Sequence, residues 1–446
     1  MAGIAGIASK GNKESVERML GRISHRGKAG KVINETDDLT IGIIWNQAEQ
    51  NSIRNFLRQG IYSDSGDHFR KAEVNVEKQG FSLSRDDLGI APMYYGLNKK
   101  GEFCFASEVK ALSPEIASIN ELLPGHSLKA DTLTANSRPQ KLPPLSHHPD
   151  EIARELRRRL DESVKACLSS IPSGCWLSGG LDSSIISALI GKHLNTFHTF
   201  AIGLQGAPDL EYAHAVASFI HSDHHEITVT LKELVDVLPE VIYHLESFDS
   251  LLVRSAVINF LAGKEASGFI SEVFSGEVSD ELFAGYNYLK TVDADQLDDE
   301  LIHLIRSLHH TALQRVDRCS SAHGMVAHLP FADPEVFNYA LQIPVRYKLL
   351  NGTEKWILRR AFEGELPENV LHRPKAKFWE GGGVGELLGN FADGKITDVE
   401  FRKKQLLPNG WRLNSKEELL YYLIFKDYYS ELENLSWMGR SGKSSP

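Results

Sequence analysis

One short segment constrains the fold of this chain more than any other: Cys175-Trp-Leu-Ser-Gly-Gly-Leu-Asp-Ser-Ser184. Its pattern predicts a short apolar strand, a turn that contains two glycines, and a helix that opens through Ser183 and Ser184. The glycines let backbone N–H groups approach an anion, and the serine hydroxyls and the helix dipole add to the attraction. The segment therefore predicts an anion site at the end of a strand. It is not a Walker loop, because the Gly-Lys-Ser/Thr ending is absent.

Length and composition bound the class of protein. The 446 residues suffice for two or three domains, each with its own core. A net charge of −10 argues against a nucleic-acid partner, because phosphate contacts need a basic face. The four cysteines have no paired spacing, which suits a reducing compartment, and no CxxC pair is present for sulfur transfer. No apolar run approaches the ~18–20 residues of a membrane span, so we expect a cytoplasmic protein with no membrane partner.

A proline-rich stretch divides the chain. Four prolines between residues 138 and 149 preclude a helix or a central strand and predict an extended linker. Before it, short alternating segments such as Leu39–Ile44 and Glu102–Ala106 predict strands. After it, the apolar spacing predicts an amphipathic helix from about Asp150 to Ala166.

Strands and helices then alternate to about residue 290, which predicts an α/β fold with a parallel sheet covered by helices on both faces. The segment from about 297 to 435 is predicted to be mostly helical. The chain is therefore predicted to have four parts: a domain over 1–137, a linker over 138–149, a second domain over 150–438, and a polar, disordered tail over 439–446.

A second loop, Ser275-Gly-Glu-Val-Ser-Asp-Glu281, follows another apolar strand. The first loop resembles the pyrophosphate loop of ATP pyrophosphatases, which cut ATP between the α and β phosphates. The two loops in this order resemble the synthetase domain of the asparagine synthetase family. Further segments match in family order over about 145–435, and these are Phe200–Leu204, His224–Ile227, Tyr243–Glu246, Pro330–Asp333, Asn351–Lys355 and Lys375–Gly385.

The resemblance implies a fold and an activity. The fold would be a truncated N-terminal Ntn-hydrolase-like α+β sandwich, followed by a parallel-sheet ATP pyrophosphatase domain with a helical C-terminal part. The activity would be ATP-dependent amide synthesis with release of AMP and pyrophosphate. ATP and Mg²⁺ are the implied cofactors, the implied partners are a small carboxylate and ammonia or another amine, and a homodimer is a candidate assembly.

The N-terminal domain departs from the family in its chemistry. Family members carry a cysteine nucleophile after the initiator methionine, whereas Ala2 stands there and cannot form a thioester. The family's Asn-Gly-Glu and Gly-Ser-Asp segments, which would form the oxyanion and glutamine sites, are also absent between His25–Gly27 and Arg85–Tyr95. We therefore expect no glutaminase activity. Cys104 lies in an alternating apolar strand, which favours core packing over catalysis.

The matched loops assign residues to ATP. Asp182 and Asp280 are the predicted Mg²⁺ ligands, because hard carboxylates suit this cation; the alternative role of each is a helix cap. Lys355 matches the family lysine that reaches the phosphates. The residues predicted to bind the phosphates and the adenine are Trp176, Ser178, Gly179, Gly180, Asp182, Ser183, Ile202 and Gly276.

The resemblance also assigns the second half-reaction. Glu277 matches the carboxylate that receives ammonia and takes its proton after the acyl-adenylate forms. Arg254 is the charged residue retained from the family's acid pocket. Leu251, Leu252 and Val278 replace polar or small neighbours, as Val326 replaces a charged one, and they predict an acid larger or less polar than aspartate. The alternative is that backbone groups, or Arg315 and Asp317, hold aspartate in a rearranged pocket.

Two other functions remain open at this stage. An intramolecular lactam- or macrolactam-forming cyclase is disfavoured by Glu277, because β-lactam-forming relatives carry tyrosine there. A catalytically silent regulatory protein is disfavoured by the intact Asp182, Asp280 and Lys355. His221, His224 and His225 have a spacing that could bind a metal, but the last two match a family strand start, which favours a structural role.

Overall fold

The computed structural model describes residues 2–64, 71–78, 80–116, 118–130, 132–375, 384–432 and 434–440. The first part is built from two antiparallel sheets, and the second part contains a five-stranded parallel sheet surrounded by helices. The predicted α/β class, with an α+β sandwich ahead of a parallel-sheet domain, is confirmed. None of the helices in the described ranges is long and apolar enough to cross a membrane.

Strand alternation builds the N-terminal part. Its strands are Gly3–Ile7 (β1), Gly30–Glu35 (β2), Thr40–Trp45 (β3), Ile61–Ser63 (β4), Ala72–Val76 (β5), Phe81–Arg85 (β6), Tyr94–Leu97 (β7), Phe103–Ala106 (β8), Ile119–Glu121 (β9), His126–Lys129 (β10) and Thr132–Ala135 (β11). One sheet has the order β2-β3-β1-β8-β7-β9, and the other has the order β11-β10-β6-β5-β4.

The first sheet is buried on both faces. Ile4 and Phe105 pack toward the second sheet, whereas Ala5 and Cys104 pack toward the helix Lys13–Arg22 (α1). Successive side chains of a strand point to opposite faces, so β1 and β8 supply both cores. Two further helices, Gln50–Arg58 (α2) and Val109–Leu112 (α3), complete this part.

Residues 136–148 form neither helix nor strand, and the helix Pro149–Cys167 (α4) follows them. Proline at its first position needs no hydrogen-bond donor there, and the His148 side chain accepts from the Asp150 N–H. The predicted helix over about 150–166 is confirmed. The predicted boundaries of the domains stay a prediction. Residues 441–446 of the predicted tail lie outside the described residues. Arg440, at the start of that tail, is ion-paired with Glu418.

The second part is a doubly wound parallel sheet. Its strands are Ser173–Trp176 (β12), His198–Leu204 (β13), Asp223–Val229 (β14), Glu272–Phe274 (β15) and Val326–His328 (β16), in the order β14-β13-β12-β15-β16. The chain winds outward from β12 in one direction and then returns to continue from β15 in the other. Such a reversal opens a crevice at the carboxyl ends of the two central strands, where ligands bind in open α/β sheets.

Helices cover the sheet and form most of the C-terminal part. They are Leu181–His193 (α5), Pro208–Ile220 (α6), Leu231–Asp236 (α7), Leu238–Leu245 (α8), Ser250–Ala266 (α9), Ser279–Leu282 (α10), Leu297–Ser307 (α11), Ala312–Ser321 (α12), Pro334–Gln342 (α13), Val345–Lys348 (α14), Trp356–Ala361 (α15), Glu368–Leu371 (α16), Gly385–Lys395 (α17), Asp398–Lys404 (α18) and Lys416–Tyr429 (α19). A small hairpin joins Leu349–Leu350 to Thr353–Glu354. The mostly helical character predicted after residue 297 is confirmed.

A buried ionic network joins the two parts. Arg26 of the N-terminal part is fully buried and pairs with Glu108 and with Asp317 on α12, the latter at 3.1 Å between Nη1 and Oδ1. Arg318, the next residue of α12, pairs with Glu246 at 2.9 Å. Removing one partner of such a network leaves an uncompensated buried charge, so these contacts fix how α12 sits against the N-terminal part.

Candidate active site

The predicted strand, glycine turn and helix are all present in the first loop. β12 ends at Trp176 and α5 begins at Leu181. Gly179 has φ +66°, and a Cβ there would lie 2.4 Å from Cβ of Tyr212, so glycine alone fits this turn. The Ser183 hydroxyl accepts from the Ser178 N–H at 3.2 Å and holds the loop closed against the helix start.

The second loop packs directly on the first. A Cβ at Gly276 would lie 2.8 Å from the carbonyl carbon of Asp182 and 2.9 Å from the Ser183 nitrogen, so glycine is required for this approach. Ser279 donates a hydrogen bond of 2.8 Å to Oδ1 of Asp182. Val278 has φ +78° and is buried, so its valine occupies the left-handed region at a cost of about 1–2 kcal/mol.

Two lysines bridge the two predicted metal ligands. Nζ of Lys355 lies 2.5 Å from Oδ2 of Asp182 and 2.6 Å from Oδ1 of Asp280. Nζ of Lys375 lies 2.6 Å from Oδ2 of Asp280 and 3.7 Å from Oδ2 of Asp182. The carboxylates therefore converge on one cationic position, one from each loop, which is the donor set that a hard divalent cation prefers.

Charge in this cluster shifts the protonation of its members. Burial would raise the pKa of Asp280, but the charges of Lys355 and Lys375 hold that pKa well below its usual range. Burial would lower the pKa of Lys375, but Asp280 and Asp182 raise it above its usual range. Asp280 and Lys375 are therefore both charged at neutral pH.

Lys375 is the functional candidate that sequence analysis did not single out. It lay within a matched segment, but nothing in its local pattern distinguishes it from a surface lysine. The match was the only signal, because Lys375 contacts Asp280 across a sequence separation of 95 residues.

A cavity opens over the two loops. Nine of the predicted site residues line it, and these are Trp176, Ser178, Gly180, Asp182, Ser183, Gly276, Glu277, Asp280 and Lys355. The cavity is also lined by Asp209, Asn259, Arg315, Arg359, Arg373 and Lys375. Among the described residues, five cations and four carboxylates thus line one space, a balance that suits a polyanionic ligand with its counter-cation.

Three predicted site residues are not among the described residues that line this cavity. Gly179 shapes the turn beside it. Ile202 is buried in β13 and packs in the core. Arg254 binds Glu417 through Nε at 2.9 Å and also through Nη2. Glu417 is 3% exposed at its side chain and accepts a further bond from the Tyr421 hydroxyl.

The residues that predicted an apolar acid pocket also lie elsewhere. Leu251 is exposed, while Leu252, Val278 and Val326 are buried in the core. None of the four is among the described residues that line the cavity. The inference that the acid is larger or less polar than aspartate therefore loses the contacts on which it rested.

Glu277 has a partner on α12. An Nη2–H of Arg315 donates to Oε1 of Glu277, and the Arg315 side chain is 9% exposed. Asp317 of α12 also pairs with Arg26, so the helix that carries Arg315 is anchored to the N-terminal part. Nearby, burial and then the charge of Asp280 raise the pKa of Glu281 to about 7, and its Oε1 accepts from the Tyr286 hydroxyl.

Comparison with known proteins decides the family. The asparagine synthase family model matches residues 155–294 and 289–407, and the two segments contain both loops. The chain belongs to the asparagine synthase family. A glutamine amidotransferase domain model matches residues 69–138, the second half of the N-terminal part.

Curated relatives in this family are named asparagine synthetases. "Asparagine synthetase [glutamine-hydrolyzing] 2" of Oryza sativa subsp. japonica is 32% identical over 384 residues, which cover 80% of this chain and 64% of the relative. "Asparagine synthetase B [glutamine-hydrolyzing]" of Escherichia coli (strain K12) is 34% identical over 393 residues, which cover 81% of this chain and 70% of the relative. The chain thus spans less than two thirds of the rice relative's length.

Proposed function

We propose that this chain is an amide synthetase that adenylates a carboxylate with ATP, releases pyrophosphate, and passes the acyl group to ammonia or another amine. The observation that carries the proposal is the cluster of Asp182, Asp280, Lys355 and Lys375 at the carboxyl ends of the central parallel strands. Two carboxylates and two lysines at a glycine-rich strand–helix turn form a site for a triphosphate and a divalent cation.

The phosphates would lie against the first loop. Backbone N–H groups at the start of α5, with the hydroxyls of Ser178 and Ser183, would bind the β- and γ-phosphates. Trp176 would contact the adenine ring, and the backbone of Ile202 would form part of the adenine pocket. Lys355 and Lys375 would move from the aspartates to the phosphates as ATP enters, which stabilises the charge on departing pyrophosphate.

Mg²⁺ is the proposed metal cofactor, and Asp182 and Asp280 would hold it. Both side chains are largely buried, at 12% and 14% exposure, and come from loops that Ser279 locks together. Bound there, the cation would neutralise charge that develops on the leaving pyrophosphate.

Glu277 is the proposed base for the second half-reaction. It lines the cavity beside the pyrophosphate loop, and Arg315 fixes the direction of its carboxylate. An amine that attacks the acyl-adenylate becomes positively charged and must lose a proton, which a carboxylate within hydrogen-bond reach can accept. Because β-lactam-forming relatives carry tyrosine at this position, Glu277 favours an external amine over ring closure.

The guanidinium of Arg254, which the sequence assigned to the acid, is held by Glu417. Within the cavity, Arg315 and Asn259 are the better-placed groups for a second polar end of the acid. Aspartate remains a candidate acid. We propose Arg315 as the cation that the acid approaches, beside its contact with Glu277.

The nitrogen source is proposed to be free ammonia or an amine and not glutamine. Ala2 is fully buried, and its N–H donates to Oε1 of Glu49 and the Asp64 carbonyl. Burial, followed by the charges of Glu102 and Glu115, raises the pKa of Cys104 to about 12, so this thiol is a poor nucleophile. Purified protein should release no glutamate from glutamine, and Ala2→Cys should not restore the activity.

A pyrophosphate-release assay over a panel of acids and amines, aspartate included, separates the alternatives. The proposed synthetase needs both an acid and an added amine for amide product. A cyclase would release pyrophosphate and form product from its acid with no added amine. A silent regulatory protein would release no pyrophosphate with any acid of the panel.

A further inference from the structure

We infer that the chain has a zinc site formed by His198, Asp223 and His225. It lies at the amino ends of the parallel strands, away from the candidate active site at their carboxyl ends. His198 and Asp223 are the first residues of β13 and β14, at the amino ends of the strands. The ATP loops lie at the carboxyl ends of β12 and β15. The proposed site is therefore separate from the candidate active site.

Strand pairing brings the three side chains together. The parallel register places His198 opposite Asp223 and Phe200 opposite His225. Because side chains alternate between the faces of a strand, Asp223 and His225 share one face of β14 with His198 beside them, while His224 faces the other way. His224 indeed bonds to Thr199, at 3.0 Å between Nδ1 and Oγ1.

The spacing of the donor atoms matches a tetrahedral ion. Nδ1 of His198 lies 3.0 Å from Nε2 of His225 and 3.2 Å from Oδ2 of Asp223. Nε2 of His225 lies 3.9 Å from the same Oδ2. Two ligands of a tetrahedral zinc ion, each about 2.0–2.2 Å from it, lie about 3.4 Å apart. The three separations bracket this value, and an ion that displaces the proton shared by the two imidazole nitrogens would have three ligand atoms around one point.

The histidine rings are held in place. The ring of His225 stacks on Phe200, with centroids 4.8 Å apart and an interplanar angle of 13°, and Phe269 covers it at 4.3 Å. The side chains of His198 and His225 are 27% and 22% exposed, so an ion can reach them from solvent. Imidazole nitrogens with one carboxylate favour zinc over magnesium, which prefers oxygen ligands.

Glu121, His309 and His310 form a second cluster of histidines with a carboxylate, but this carboxylate is less available to a metal ion. Oε2 of Glu121 lies 2.6 Å from Nε2 of His310, but the other oxygen of this carboxylate is bound by Arg85 at 2.6 Å. A guanidinium at the carboxylate opposes a cation there, whereas among the described residues the Asp223 carboxylate pairs only with the two histidines.

Titration of the chelator-treated full chain with Co²⁺, in excess Mg²⁺ to occupy the hard-ligand site, tests the assignment. We expect visible absorption typical of tetrahedral Co²⁺ that saturates at a single ion per chain and is displaced by Zn²⁺. Zn²⁺ should also raise the melting temperature, because a ligand that binds only the folded state stabilises it. Absence of saturable Co²⁺ binding by the wild-type chain would overturn the proposal.

Variants locate the ion. His198→Ala and His225→Ala should lose the Co²⁺ spectrum, whereas the matched control His224→Ala, on the same strand with its side chain on the other face, should keep it. Asp223→Asn, at an exposed position that tolerates change, should weaken binding by at least about 10-fold, since even partners behind a ligand contribute about 10–100-fold. All four should keep AMP formation, and an unchanged spectrum in both His198→Ala and His225→Ala would overturn the site.

Discussion

Ser279 donates a hydrogen bond of 2.8 Å to Oδ1 of Asp182, although the two residues lie 97 positions apart in the chain. The bond joins the second loop to the first at the point where the parallel sheet reverses its winding. Gly276 allows the contact, because a side chain there would meet the backbone of Asp182 and Ser183. Asp182 is thus oriented by a residue of the loop that carries Asp280.

Ser279→Ala should therefore reduce activity through the alignment of Asp182. A buried hydrogen bond to a charged group contributes about 1.5–3 kcal/mol, which corresponds to at least about a 10-fold loss in kcat/KM. The Mg²⁺ concentration for half-maximal AMP formation should rise as well. Ser320→Ala, a buried serine on α12 that does not line the cavity, is the control. Unchanged Mg²⁺ dependence in Ser279→Ala would contradict the alignment.

Asp182→Asn and Asp280→Asn should each lower AMP formation by about 100-fold or more. A metal ligand that stabilises charge in the transition state contributes several kcal/mol. Each change also leaves Lys355 and Lys375 with one fewer negative partner, so circular dichroism should check that the fold is kept. The control is Asp236→Asn, an exposed residue of α7. Near-normal pyrophosphate release by either variant would remove the metal assignment.

Glu277→Gln should separate the two half-reactions. The amide retains the shape of the side chain but cannot take a proton, so transfer to the amine should fall about 100-fold or more. Adenylation does not require this proton transfer, so ATP–pyrophosphate exchange with the acid alone should persist. Glu240→Gln, exposed on α8, should leave both rates intact. Equal loss of exchange and of amide formation would show that Glu277 acts before the amine arrives.

Arg254→Ala tests whether this residue holds the fold or the acid. Its removal leaves the buried Glu417 carboxylate without its cation, which should lower the free energy of unfolding by about 1–3 kcal/mol. The KM for the acid should change little, because Arg254 is not among the described residues that line the cavity. A rise in that KM of about 10-fold or more, with the melting temperature unchanged, would instead place the acid at Arg254.

Glu281 should make stability fall as pH rises. Burial, with the charge of Asp280, raises its pKa from 4.5 to about 7, so between these values the folded chain holds a proton that the unfolded chain has lost. The stability from the protonated carboxyl is complete below pH 4.5 and is lost as pH rises through 7.

The variant Glu281→Gln stays neutral and should lack this loss. The free energy of unfolding of wild-type protein minus that of the variant should therefore drop by on the order of 3 kcal/mol from low to high pH, because a pKa that moves from 4.5 to about 7 contributes ~1.4 kcal/mol per unit. Denaturant unfolding of ligand-free protein on both sides of the transition measures it. A difference that does not depend on pH would contradict the raised pKa.

Local pattern predicted the elements of the site well. The strand, the glycine turn and the helix from Ser173 to His193 follow from apolar runs and from glycines that the backbone needs. Such features are encoded by neighbouring residues and by the approach of one backbone to another, so a single sequence contains them.

Contacts across long separations were beyond sequence reasoning. Arg254 is paired with Glu417, which lies 163 residues away, and no local feature indicated that the arginine was already bound. Lys375 reached Asp280 by the same kind of long-range packing. At Val278 the observed φ of +78° shows that a valine occupies the left-handed conformation.

The central claim is that the carboxylate attacks the α-phosphate of ATP, and isotope transfer tests it most directly. The acid that gives turnover in the panel would be labelled with ¹⁸O in its carboxylate and incubated with ATP, Mg²⁺, ammonia and purified protein. The account predicts that ³¹P NMR will find one ¹⁸O atom in the phosphate of AMP, together with unlabelled pyrophosphate. Label in inorganic phosphate formed alongside ADP, or AMP that carries no label, would contradict it.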